Sequence, residues 1–368
     1  MLQRIFLWVR RYERHLSGLA MVAGFVADNV FFERIDLWQT QAVFAAYAAI
    51  CFVAIPLLHA LEIRAARVKI SGGRDAYAHL RLVLPFMIQF ALGGFWSGFV
   101  IFYGHSANLG ASWPFLLFLF LVFIGNEYFY HYHSRLVFTS VLFFFALYSY
   151  AIFALPIYTG SIGTETFLLS GAVAIGAFAL FTGFLRMLAR ERFLSDVWRI
   201  RAGALAILVL INASYFTNIL PPLPLSAEAA GVYHQVWRAA GAYLARSETG
   251  QSWQVRLLGF APTLHVVSGE PLFAYTSVFA PTRLVTTIVH RWQWYDPAQE
   301  LWVTKANIAY PILGGRDGGY RGYSTMLVEE SGEWRVSIET GEGRIITRLP
   351  FTAARVSAAP PQTAVTLK

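Results

Sequence analysis

The chain has 368 residues, 57% of them hydrophobic and only 14% charged, with a mean hydropathy of +0.50. A soluble domain carries about 25% charged residues, so the composition excludes a purely water-soluble protein and points to a polytopic membrane protein with soluble mass attached. The net charge of +8 does not signal nucleic acid, because the basic residues stand in short clusters beside apolar runs, where they set topology. The one cysteine, Cys51, excludes an intrachain disulfide and any CxxC redox or metal motif.

The N-terminal stretch Leu2 to Val9, with Arg4, Arg10, Arg11 and Arg14, reads as a juxtamembrane amphipathic segment, not as a cleavable signal peptide. Seven apolar runs follow with the length of a spanning helix: 17–32, 40–61, 82–104, 112–131, 135–157, 165–186 and 202–220. With the N-terminus inside, the inner segments hold fifteen Lys and Arg, against the single Arg34 in the outer loops. That asymmetry predicts a cytoplasmic N-terminus and an extracytoplasmic C-terminal domain. Gly94 and Gly98, then Gly171 and Gly176, have the small-residue character of helix–helix contacts, and Gln89 and Asn212 suit interhelical hydrogen bonds. No internal repeat of the kind found in many transporters is visible.

Pro221-Pro222-Leu223-Pro224 closes the apolar part. Val232, Val236, Ala239 or Ala240, and Tyr243 have helical spacing, which predicts a helix over 227–246. From Trp253 the period changes to two. Strands are predicted at 253–260, 271–279, 283–295, 300–310, 320–328, 333–340 and 344–352, separated by Gly, Pro and Asp turn signals. The fold class is therefore an α-helical membrane bundle followed by an all-β, sandwich-like domain. The chain divides into a helical domain over 1–224, a linker helix over 225–252, an extracytoplasmic β-sandwich over 253–356 and a disordered tail over 357–368.

Two clusters of polar residues are candidates for chemistry. In the helical part, Glu127 and His131 share a helix face at i,i+4, Arg135 follows, and His59 and Glu62 stand at i,i+3 at the same predicted level. Such pairs on facing helices suit a metal site or a proton or lipid role, while the plainer reading pairs Glu127 with Arg135 or another cytoplasmic arginine. Asp28, with Asn29, lies at the outer end of the first run, where it either pairs with Arg34 or couples to the outer domain.

In the β domain, alternation through His290 to Asp296 puts His290, Trp292 and Trp294 on one face and Arg291, Gln293 and Tyr295 on the other; Ile288 marks the tryptophan side as core. The Gly-rich loop from Gly314 to Ser324 lacks the features of a P-loop. Its Arg316, Tyr320, Arg321 and Tyr323, together with His290, form the candidate surface for an anionic or sugar ligand, against the plainer reading of a long hairpin turn. No GxSxG elbow, HExxH motif or other nucleophile–base set is present.

The stretches YERHLSGLAMVAGFVADNVFFERIDLWQTQ, GNEYFYHYHSRLVF and LFFFALYSYAIFALPIYTGSIGTETFLLSG resemble the membrane part of an uncharacterised bacterial protein family. PLFAYTSVFAPTRLVTTIVHRWQWYD, GGRDGGYRGYS and GEWRVSIETGEGRIITRLPF resemble its C-terminal module, the domain of unknown function 2914. The resemblance implies a bacterial inner-membrane protein and brings no activity. The expectation is a non-enzymatic, cofactor-free protein in the lipid bilayer whose periplasmic domain binds an envelope protein, a glycan or another anionic ligand. The alternative is a membrane-embedded enzyme or transporter centred on Glu127 and His131.

Overall fold

The computed structural model describes residues 25–26, 28, 36–70, 76–106, 109–128, 135–222, 224–239, 241–249, 261–282, 284–316 and 318–367. They form two compact units, one helical and reaching Ile219, the other built on Leu220–Lys368 with short inter-helix segments such as Thr159–Gly163.

Six helices make up the first unit among the described residues: α1 (Trp38–Ile70), α2 (Ala78–Ser106), α3 (Leu109–Tyr128), α4 (Leu136–Thr159), α5 (Thr164–Leu188) and α6 (Arg190–Phe216). Four of these, within α1, α2, α4 and α5, are long and apolar enough to cross a membrane. Among the described residues, length and composition thus support four of the seven expected spans. The apolar part of α3 shortens to Ser112–Gly125. The last run, 202–220, is the apolar half of α6, whose first three turns are rich in charge. The first run, 17–32, lies largely outside the described residues; Phe25, Val26 and Asp28 are helical, and the Phe25 ring lies 5.5 Å from that of Phe123 on α3.

The interior of this unit is aromatic. Phe44 of α1 stacks on Phe99 of α2 at 5.7 Å and meets Phe153 of α4 edge-on at 5.4 Å, geometries that add to simple burial. Small residues let the helices approach, as their spacing predicts: a Cβ on Gly94 would lie 2.4 Å from the Tyr47 ring, and one on Gly171 2.9 Å from the Tyr148 hydroxyl. Gly176, in contrast, faces open space. Asn212 donates to the Tyr148 hydroxyl at 3.1 Å, an interhelical bond between α6 and α4. The outward side of α5 is apolar: Leu168, Leu169, Val173, Ile175, Leu180 and Met187 are exposed. A soluble bundle presents charge on such a face.

The second unit is all β. The helix expected over 227–246 is instead three strands, β1 (Ser226–Tyr233), β2 (Gln235–Ala239) and β3 (Ala242–Glu248). Its alanines and valines also satisfy a two-residue period. Gly241, at φ +81°, closes a tight hairpin that pairs Ala239 with Ala242. Pairing of β1 with a later strand then outweighs local helix propensity.

Then come β4 (Thr263–Val267), β5 (Pro271–Phe279), β6 (Val285–Asp296), β7 (Leu301–Leu313), β8 (Tyr320–Leu327), β9 (Gly332–Thr340) and β10 (Ile345–Val356). Six of these follow the predicted runs closely. The strand expected at 253–260 lies outside the described residues, and β4 was not expected. The tail expected to be disordered carries β11 (Gln362–Leu367), which pairs with β3 from Gln362–Glu248 to Leu367–Tyr243. Backbone hydrogen bonds hold this edge strand, which its apolar side chains, Ala364, Val365 and Leu367, scarcely announce.

The strands form three sheets: β1-β5-β8, β4-β10-β9-β6-β7 and β11-β3-β2. The first two share one core. Leu272, Ala274 and Val278 of the three-stranded sheet join Ile288, Trp292, Trp334, Val336, Ile338 and Phe351 of the five-stranded one. A smaller cluster of Val236, Ala245, Tyr275 and Leu367 lies between the first sheet and the third.

Candidate functional site

Directly opposed residues of an antiparallel pair share a face, so the pairing register decides which polar residues meet. On the inner face of β6, His290 is fully buried. Its Nδ1 lies 2.8 Å from the Ser324 hydroxyl, and its Nε2 lies 2.9 Å from Thr276 Oγ1 and 3.1 Å from the Tyr310 hydroxyl. Trp292 Nε1 donates to the same Ser324 oxygen at 3.0 Å. Burial pushes His290 down to about 4 and the Tyr310 phenol up to about 12. The imidazole is therefore neutral at pH 7 and serves as a satisfied polar element of the core.

His290 thus does not belong to a binding surface, and the other four candidates do not form one with it. Along β8 the side chains alternate. Tyr320 packs on the main core and stacks near Tyr310, with the Arg316 guanidinium 4.8 Å over its ring. Arg321 and Tyr323 point to the opposite face, paired with Ser277 and Tyr275; the Tyr323 ring lies 5.9 Å from that of Phe273. The glycines of the loop have structural work. Gly315, Gly318 and Gly319 have φ of +93°, +72° and +78°, and a Cβ on Gly314 would collide with the Pro281 carbonyl. Ser277 Oγ donates to the Gly318 carbonyl. The hairpin-turn reading of this loop accounts for these contacts.

The outer face of the five-stranded sheet gathers a different set. The register aligns Arg291 with Ser337 and Gln293 with Arg335 between β6 and β9, and Ser337 with Arg348 between β9 and β10. Arg291 Nη2 contacts Glu339 Oε2 at 2.9 Å. Arg335 Nε donates to Gln293 Oε1 at 2.9 Å, and its guanidinium lies 4.1 Å over the Trp302 ring. Glu339 is only 5% exposed. Burial raises its carboxyl above the ordinary range, against the pull of Arg291, Arg348 and Arg335. Arg335 is held below the ordinary guanidinium range by burial and by the like charges of Arg348 and Arg291. Arg291 Nε meets no hydrogen-bond partner among the described residues. Three guanidinium groups therefore face one carboxylate, beside an aromatic ring, on a rigid sheet. Such an arrangement suits a carboxylate or phosphate.

This set was half legible. Alternation alone puts Arg291 with Gln293, and Arg335 with Ser337 and Glu339, but only the register brings the two groups together. A further cluster gave no signal in sequence. Glu248, 6% exposed, accepts from the His265 backbone N–H at 2.7 Å and bridges His265 Nδ1 and His234 Nε2, each at 2.8 Å. Burial alone would raise this carboxyl, but those three bonds hold it below the ordinary range. They tie β3 to β4 and to the β1–β2 bend. Among the described residues no three His, Cys, Asp or Glu side chains are arranged to hold a metal ion.

Of the helical candidates, His59 is fully buried and its Nδ1 lies 2.9 Å from Glu62 Oε2, while its Nε2 meets no partner among the described residues. Asp28 is half-buried. Arg135 is exposed at the start of α4. The Glu127 side chain and His131 lie outside what is described, so their meeting with His59 and Glu62 stays an expectation.

With this geometry in hand, a family described as "Protein of unknown function (DUF2914)" matches residues 285–353. The match runs from β6 into β10 and contains Arg291, Gln293, Trp302, Arg335, Glu339 and Arg348. A comparison with curated proteins finds no match. Among solved structures, the chain aligns with the Pseudomonas fluorescens alkylpurine DNA glycosylase AlkC bound to DNA containing an abasic site analog, at 9% identity over 86% of this chain and 97% of that one, with a TM-score of 0.20. An overlap that weak carries over neither fold nor function.

Proposed function

We propose that this chain is a multi-span protein of a bacterial inner membrane, with its N-terminus in the cytoplasm. Its periplasmic β domain binds an anionic partner protein or envelope ligand on the outer face of the five-stranded sheet. The membrane part of the reading is supported by four long apolar helices among the described residues and by the exposed apolar side of α5, and its topology by the fifteen-to-one distribution of basic residues about the seven apolar runs. In addition, Arg67 near the end of α1 pairs with Glu191 at the start of α6, so two of the basic clusters assigned to the inner side meet.

The observation that carries the binding reading is the surplus of arginine around Glu339. One buried carboxylate cannot neutralise Arg291, Arg335 and Arg348, and a bound anion would. The experiment is affinity purification of the full chain from native membranes in mild detergent, beside an Arg335→Ala/Arg348→Ala variant. Proteins and anionic envelope components enriched with the wild type and lost from the folded variant are expected. Identical captures from both would overturn the reading.

A further inference from the structure

At the cytoplasmic end assigned to the helical unit, α4 and α6 flank an open cleft of about 640 Å³, within the range of small-molecule sites. Its lining combines charged and apolar residues. Arg135 stands at the start of α4, and Arg192, Asp196 and Arg199 follow one another on one face of α6 at i, i+4 and i+7. The rest of the wall is apolar, formed by Leu136, Val137, Phe138, Val141 and Leu142 of α4. Asp196 contacts Arg199 at 3.1 Å, and among the described lining residues one carboxylate stands with three guanidinium groups. At Gly203 the α6 backbone approaches α4 closely: a Cβ there would lie 2.4 Å from Val141 Cγ2. Beside the charged end, Trp198 is 76% exposed with the Arg201 guanidinium 5.4 Å over its ring. An exposed tryptophan next to arginine is what the headgroup layer selects.

We infer that this cleft binds an anionic phospholipid, its phosphodiester held by Arg135, Arg192 and Arg199 and its acyl chains laid against Phe138, Val141 and Leu142. A soluble phosphate would use the arginines and leave the apolar wall wet. A zwitterionic lipid would bring a second positive charge to a cleft already rich in it. Basic pockets between helices on the cytoplasmic side recognise anionic headgroups in this way. The inference rests on the membrane reading above and adds a ligand class to it.

The test is native mass spectrometry of the full chain in detergent. The chain is titrated with dioleoylphosphatidylglycerol and with dioleoylphosphatidylcholine, and the phosphatidylglycerol complex is then challenged with sn-glycerol 3-phosphate. Preference for phosphatidylglycerol is expected, with weakening by about twenty-fold in Arg192→Gln/Arg199→Gln and tightening by about three-fold in Asp196→Asn. Equal binding of the two lipids, no change in either variant, or full competition by glycerol phosphate would overturn the lipid site. Carbonate extraction of the membranes separates the two levels: a chain that washes out removes the membrane reading, whereas a retained chain without lipid preference removes this inference alone.

Discussion

Strand β6 carries two polar clusters back to back, and they solve the burial of polar groups in opposite ways. Inward, His290 meets Thr276, Ser324 and Tyr310, and both ring nitrogens are within hydrogen-bond reach of a hydroxyl. Outward, one residue on, Arg291 meets a single carboxylate that two further arginines also approach. The inner cluster is closed and neutral, and it specifies the core. The outer cluster keeps a surplus of positive charge and a donor without a partner. A conspicuous histidine among tryptophans is therefore the structural element, and the less conspicuous alternating arginines are the candidate for function.

The comparison breaks most visibly in stability. Trp292→Ala empties a fully buried site of the core, with an expected loss of about 3–5 kcal/mol, read by denaturant unfolding followed through tryptophan fluorescence. A loss below about 1 kcal/mol would deny that this face is core. Next in size is acid sensitivity. The unfolded imidazole protonates near pH 6.5 and the folded His290 near 4, so between these values the unfolded chain holds the extra proton. Stability is fully present above about pH 6.5 and falls by about 3 kcal/mol as the pH drops to 4. His290→Gln should remove this slope from the unfolding profile, whatever it does to stability at pH 7.

The outer face should answer in binding. Glu339→Gln weakens the sheet by about 1–3 kcal/mol, because it breaks a buried ion pair, yet it should tighten capture of anionic components, since it removes the competing charge. Weaker capture by the folded variant would mean that Glu339 itself contacts the partner. Arg348→Ala, at an exposed position, should change stability by less than about 0.5 kcal/mol and weaken capture several-fold. The smallest effect is expected from Arg316→Ala with Arg321→Ala. These side chains lie apart, one over Tyr320 and the other paired across from Ser277, so capture should change less than about two-fold. A larger change would move the site to the loop.

How far the sequence reaches is visible in the same elements. Six strands and the apolar helices are legible because period and length are local properties, and Ile288 correctly marks the tryptophan side as core. The region 227–246 reads as helix because Ala and Val satisfy both periods; pairing of β1 with the sequence-distant β5, and of β2 with β3, decides for strand. The tail is ordered by backbone bonds to β3 that no side-chain pattern records. In the site, alternation groups Arg291 with Gln293 but is silent on which strands lie alongside. The juxtaposition with Arg335, Glu339 and Arg348, and likewise that of His234, Glu248 and His265, is a product of register.

The most direct test of the outer-face site is the binding of a defined polyanion, inorganic polyphosphate, to the full chain in detergent at low and high salt, with Arg335→Ala/Arg348→Ala alongside. The account predicts binding that weakens with salt and falls by about ten-fold or more in the double variant, which stays folded at the temperature of the assay. Equal binding by the wild type and the folded double variant would contradict it.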